Sequence, residues 1–198
     1  MYNQSQNPQV ALSLTDLSEA LYRLMERTPP EDVAVSDLCR EAGVTRRTYY
    51  RNCAGMADLV DYAIETRVRA LLAAMAWDSE DTGVLYESFF RFWYENRAFL
   101  AVTHRWGLFP RFAFLFIREC TRENDSGPIG RRMEEKCGWG PLRQFRRSFL
   151  VGGLCQMLEQ WTREDFATPL AAVVSVPLAL SPNLRRPCGE TPPPPAHR

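Results

Sequence analysis

Lysine is almost absent: Lys136 is the single lysine, against 23 arginines. This imbalance reads mainly as GC-rich coding, and planar two-pronged recognition of phosphate or guanine applies to a few of the arginines at most. There is no net charge, since 24 basic side chains meet 24 acidic ones. A uniformly basic nucleic-acid binder is thereby excluded, and any such function rests on where charge sits rather than on its total. Even residues 1–56 carry six Arg against seven acids.

Metal-ligand spacing is missing too. The six cysteines, at 39, 53, 120, 137, 155 and 188, form no CxxC pair, and His104 and His197 are the only histidines that could join them. Zinc needs ligands clustered at close spacing, so no metal and no cofactor is expected. Residues 1–16 have no basic start and no apolar core, so a secretory leader is not expected and the thiols should be free in a reducing cytoplasm. The longest charge-free run, Phe166–Leu184, contains Pro169, Pro177 and Pro182. A membrane span needs about 20 mostly apolar residues, which makes this run a poor candidate and a helix buried at an interface the better reading. GxSxG, P-loop and GxGxxG motifs are absent, and the Glu134-Glu135 pair lies on a polar segment. Catalysis is therefore not expected. Neither period-2 alternation nor an internal repeat is found, so the architecture should be all-α with eight or nine helices.

The most informative stretch is Val35–Asn52, VSDLCREAGVTRRTYYRN. Leu38, Cys39 and Ala42 follow Val35 at i+3, i+4 and i+7, one apolar face of a short helix. Gly43 can take positive φ and stop that helix. Val44 plugs the corner, and Thr45 can cap the next helix with its hydroxyl. That second helix, Arg46–Asn52, is basic and aromatic, and from Val44 to Met56 there are three Arg and no acid. A short cationic helix held across a glycine turn suits insertion into a DNA major groove.

The remaining helices follow from periodicity. Leu17, Ala20, Leu21, Leu24 and Met25 make an apolar stripe on a first helix over 14–27, capped by Ser13 or Thr15 and ended by Thr28-Pro29-Pro30. A helix from Met56 to Trp77 carries Val60, Ile64, Val68, Leu71 and Leu72, and is long enough to pass from the N-terminal unit into the rest of the chain. An aromatic-rich helix is expected over 84–105, interrupted at Gly107 and Pro110, then a short helix over 112–121. Asn124–Pro128 reads as loop and 131–137 as a short helix. A long helix over 142–163 holds Gly152 and Gly153, each costing about 1 kcal/mol against Ala, with close approach of another helix as the compensation. The last helix should cover 169–180, kinked or shortened by Pro177.

With these residues in place, the chain resembles the TetR family of bacterial transcriptional regulators. Helix 1 and Val35–Val60 carry the resemblance, above all the run AGVTRRTYYRN at 42–52, which is similar to that family's AGVS-x-x-T-[LF]-Y-x-[HY] signature; Leu59 fits the apolar position that follows. Gly152-Gly153, Trp161 and Thr168-Pro169 are weaker points of similarity in the second half. The resemblance implies an N-terminal helix-turn-helix DNA-binding domain at 13–56 and a C-terminal helical ligand-binding and dimerisation domain at 57–180, flanked by a flexible N-terminus at 1–12 and a disordered Pro-rich tail at 181–198. It implies a ligand-responsive repressor that binds a palindromic double-stranded DNA operator as a homodimer through the last two long helices. Carried over by position, Thr45, Tyr50 and Asn52 would contact phosphate, Arg46, Arg47 and Thr48 would face the groove, and Arg51 would reach either; Ser36 and Tyr49 complete the candidate set. Tyr49 and Tyr50 stand 100° apart on a helix, so one of them at most points fully at DNA. Phe89, Trp93, His104, Trp106, Phe112 and Phe116 are candidates to line a pocket for a small-molecule effector, though each taken singly is more often plain core. Two positions depart from the family: Cys53 stands where Phe is usual, and Met56 where a phosphate-contacting Lys is usual. They motivate a second reading, a coactivator or adaptor of the same fold that has lost operator binding and acts through a protein partner.

Overall fold

A computed structural model describes residues 8–126 and 143–180. These residues form helices and turns without strands, in agreement with the all-α expectation. The helices are α1 (Pro8–Leu24), α2 (Val35–Glu41), α3 (Arg46–Asn52), α4 (Met56–Ala74), α5 (Thr82–Glu95), α6 (Arg97–Arg105), α7 (Phe109–Ser126), α8 (Arg143–Arg163) and α9 (Leu170–Leu180), with a 3-10 turn at Pro30–Asp32.

The first helix begins earlier than its periodicity suggests, so residues 8–12, expected to be flexible, are helical; residues 1–7 lie outside the described part. Pro8 occupies the first turn, where its fixed φ favours a start, and Val10 and Leu14 are already buried. Ser13 and Thr15 therefore do not cap the helix. Their hydroxyls donate back to the carbonyls of Gln9 and Ala11, at 2.9 and 3.0 Å. Leu17, Ala20 and Leu21 are fully buried and pack α1 on α2, α3 and α4. The end of α1 is tied to a distant corner: Arg105 and the Trp106 indole donate to the Glu26 and Met25 carbonyls, both at 2.6 Å. These carbonyls belong to the turn where the helix has run out of its own donors.

Helix α4 runs unbroken for 19 residues, about 28 Å at 1.5 Å per residue. It ends at Ala74 rather than Trp77, because the Trp77 indole turns back to donate to the Leu72 carbonyl at 2.6 Å. Its contact with α7 is both apolar and ionic. Arg111 grips Asp61 with two nitrogens, Arg118 pairs with Glu65, and Glu119 receives Arg122 at 3.0 Å with Arg69 at 3.8 Å. Glu65 and Glu119 are buried, 6% and 1% exposed, while their arginines keep contact with water and so bring the charge compensation that burial demands.

The aromatic run expected as one helix over 84–105 is two. Asn96 breaks it: its side-chain amide and its backbone N–H both donate to the Phe92 carbonyl, at 2.8 and 3.0 Å, replacing the next turn of backbone bonding. The bend lets rings on several faces of the run find different neighbours, α6 resting on α8 while α5 packs against α9. At the end of α6, Gly107 takes φ +65°, and Leu108 N–H donates to the Thr103 carbonyl at 2.9 Å, a left-handed helix stop that favours glycine. Pro110 then starts α7 instead of interrupting the preceding helix, and α7 continues through Asn124–Ser126, part of the stretch expected as loop. The expected helix over 131–137 and the expected tail at 181–198 lie outside the described residues. Pro177 does not shorten α9, which carries on to Leu180 with Pro177 buried.

Candidate nucleic-acid interface

Helix α3 is set by its two ends. Before it, Gly43 adopts φ +66°, its N–H reaches the Arg40 carbonyl, and Val44 N–H donates to Cys39 O at 3.0 Å. That is the same left-handed stop as at Gly107, and it puts Val44 in the corner between the helices. Thr45 then caps α3: its hydroxyl accepts the Thr48 N–H at 3.1 Å, satisfying one of the free donors of the first turn. After it, Asp58 accepts the Ala54 N–H at 2.7 Å and holds the turn into α4.

Between these ends the helix has two faces. Arg46, Arg47, Tyr50 and Arg51 are exposed, as is Thr45, with Tyr50 at 66%. Thr48 is half-buried, its hydroxyl 3.0 Å from that of Thr45. Tyr49 and Asn52, at i and i+3, share the inner face and are 2% and 1% exposed. The Tyr49 hydroxyl donates to the Met56 sulfur at 3.9 Å, its ring meets Tyr50 edge-on, and burial pushes its pKa up to about 12. Of the candidate DNA contacts, Tyr49 and Asn52 therefore lie on the inward face of α3, apart from the exposed arginines and Tyr50. Ser36 is half-buried in the first turn of α2.

The charge on the outer face is uncommitted. Arg46, Arg47 and Arg51 form no ion pair with a described residue, whereas Arg23, Arg40 and Arg163 are held by Glu41, Asp37 and Glu159 at 2.8, 2.8 and 3.1 Å. Cys53 is 3% exposed and its thiol is pushed up to about 12, first by burial and then by Asp58. It therefore fills space under α3 as an unreactive apolar group. Met56, where a lysine would reach outward, turns its sulfur to Tyr49 instead.

The expected effector residues divide. Phe89, Trp93, Phe112 and Phe116 do come together, each no more than 2% exposed, with Trp93–Phe112 centroids at 5.1 Å, Phe112–Phe116 at 5.8 Å and Phe89–Phe116 at 6.0 Å. His104 stands at the margin, half-buried against Phe109 at 6.4 Å. Trp106 makes no ring contact with the cluster, and its indole N–H is used on α1. Three neighbours escaped the sequence reading: Phe99, stacked on Tyr22 of α1 at 4.4 Å and lying 6.5 Å from Trp93; Tyr22 itself; and Arg67, whose guanidinium sits 4.2 Å from the Phe99 ring centre. The signal for Arg67 was a cation three residues beyond Ile64, inside an apolar stripe. Elsewhere, a cleft of about 350 Å³ lies among Glu95, Arg97, Ala98, Ala101, Asp165 and Phe166. No three His, Cys, Asp or Glu side chains gather as a metal site among the described residues, and no helix there is long and apolar enough to cross a membrane.

Neither a family model nor a curated protein matches the chain. A solved structure does: the fatty acid degradation regulator FadR from Bacillus halodurans, at 14% identity and a TM-score of 0.54, over 91% of this chain and 97% of that one. The two chains share an all-helical fold. At this identity the likeness speaks for the arrangement of helices alone.

Proposed function

We propose that this chain is a TetR-like transcriptional regulator that binds a palindromic operator as a homodimer and is released by a small molecule. The observation that carries the reading is the outer face of α3: three arginines without anionic partners and an exposed tyrosine, on a two-turn helix anchored from beneath by Tyr49 and fixed at its start by Thr45. Arginine offers guanine a bidentate match in the major groove, and the Tyr50 hydroxyl and the cap region suit phosphate. That the fold is shared with a protein titled a regulator supports the reading.

Dimerisation draws on the opposite end of the chain. Phe145 and Phe149 on α8 are 75% and 78% exposed, and Leu180 on α9 is 73% exposed. A Cβ added at Gly152 or Gly153 would meet nothing within 4 Å. The close helix approach that those glycines suit does not come from the described residues, and a second copy is a natural source. Two copies would present two α3 helices to half-sites one or more DNA turns apart. An effector that binds one spacing of the reading heads better than another shifts the population accordingly. No catalytic role is proposed.

Selection from a random duplex pool tests the reading. The expected product is a near-palindrome with half-sites separated by about one or more helical turns, and Arg46→Ala/Arg47→Ala should retain none of it. Recovery of unrelated sequences by both proteins would overturn it and favour the protein-partner reading that Cys53 and Met56 motivate.

A further inference from the structure

Two polar groups beside Phe99 have no hydrogen-bond acceptor among the described residues, and they come from different elements. The first is the Trp93 indole. It is fully buried, and its Nε1–H has no hydrogen-bond partner among the described residues. Phe112, edge-on at 5.1 Å, offers only ring electrons, a weaker acceptor than oxygen. Buried donors are nearly always satisfied, so one that is not calls for an explanation. The second is Arg67 on α4. Its guanidinium lies 4.2 Å from the Phe99 ring centre and 5.4 Å from that of Tyr22, and it forms neither an ion pair nor a hydrogen bond with a described residue. Burial draws its pKa below the usual arginine value, with Tyr22 and the exposed Glu19 only partly opposing. The neighbouring arginines of α4 and α7 are, by contrast, matched to Asp61, Glu65 and Glu119.

We propose that Arg67 and the Trp93 Nε1–H form the polar end of an effector site for an apolar carboxylic acid carrying a second oxygen near its acid group, with its body replacing ring contacts of Phe89, Phe112 and Phe116. The carboxylate takes the guanidinium fork, the geometry for which arginine is suited. The second oxygen takes the indole proton. The rings around Trp93 supply no charge, so the remainder of the ligand is neutral and apolar. The proposal names the effector chemistry of the ligand-responsive reading above and rests on it. Because Arg67 touches Tyr22 of α1 and Phe99 of α6, an anion drawing the guanidinium toward itself acts where the reading head meets the body.

Calorimetry on the full chain without DNA tests the site, using phenylpyruvate and 3-hydroxydecanoate, their methyl esters, and 3-phenylpropanoate and decanoate, which lack the second oxygen. At least one of the two oxygenated acids should bind, with its ester about tenfold or more weaker, the worth of one charge-assisted bond. Arg67→Met keeps the stem and should abolish the preference for acid over ester. Trp93→Phe keeps the ring packing and should abolish the preference for the oxygenated acid over its plain counterpart. Absence of binding by both oxygenated acids, equal binding of acid and ester, or an unchanged preference in Arg67→Met overturns the proposal. Operator release is measured separately: an acid that binds and does not release DNA leaves the site standing and removes the ligand-responsive reading.

Discussion

The two adjacent tyrosines of α3 should behave as opposites. Tyr49 is 2% exposed and Tyr50 66%. Deleting a buried aromatic ring costs about 3–5 kcal/mol, so Tyr49→Ala should lower the urea midpoint by about 1–2.5 M if the unfolding slope is about 2–3 kcal/mol/M. Tyr49→Phe keeps the ring and loses only the hydroxyl's bond to the Met56 sulfur, a weak acceptor, for less than about 1 kcal/mol. Tyr50→Ala loses only the edge contact with the Tyr49 ring and should cost about 0.5–1 kcal/mol, well below Tyr49→Ala. On DNA the order reverses: Tyr50→Ala weakens binding while Tyr49→Phe leaves it unchanged. Urea unfolding followed by circular dichroism at one protein concentration, with binding measured on the same samples, reads both effects. A larger stability loss in Tyr50→Ala than in Tyr49→Ala, or DNA binding lost in a fully stable Tyr49→Phe, would refute the assignment of the two faces.

Thr45→Ala should cost about 1 kcal/mol, the usual worth of an N-cap, whereas Thr45→Asp should be nearly silent in thermal unfolding. Gly107→Ala forces a Cβ into φ +65° and should cost about 1–2 kcal/mol, with Gly107→Asn less harmful by the same measurement. Phe149→Glu should give a folded monomer by light scattering; a retained dimer would contradict the α8–α9 interface. Alkaline stability follows from burial of Tyr22, Tyr49, Cys53, Cys120 and Cys155, each pushed up to about 12 from ordinary values of 10 for tyrosine and 9 for cysteine. The fold holds these groups neutral, so their contribution is complete below pH 9 and is lost as pH rises from 9 to 12. A urea midpoint flat across that range would contradict it.

Much of the fold was legible because local chemistry and global packing agree. Gly43, Thr45 and the Leu17–Leu21 stripe each mean the same thing alone and in the folded chain. The misreadings came where a local signal had two uses. Pro110 can end a helix or open one, and Asn96 is an ordinary surface residue until its amide takes the Phe92 carbonyl. The aromatic run from Tyr86 to Phe99 is apolar on several faces, so periodicity could not reveal the bend. Tyr49 and Tyr50 differ by one residue step, and only packing against α1, α2 and α4 decides which turns inward. Within the expected effector set, four rings that share the spacing of α5 and α7 do meet. The Trp106 indole answers a carbonyl more than eighty positions away, a relation no local pattern carries.

The central claim, that the outer face of α3 binds operator DNA, is tested most directly by measuring affinity for the DNA flanking the chain's own gene across a salt series. The account predicts tight binding that weakens steeply with salt, by about one power of salt concentration for each phosphate contact, and that is lost in Arg46→Ala/Arg47→Ala. Affinity no greater than for unrelated DNA, with the same salt slope in parent and variant, would contradict it.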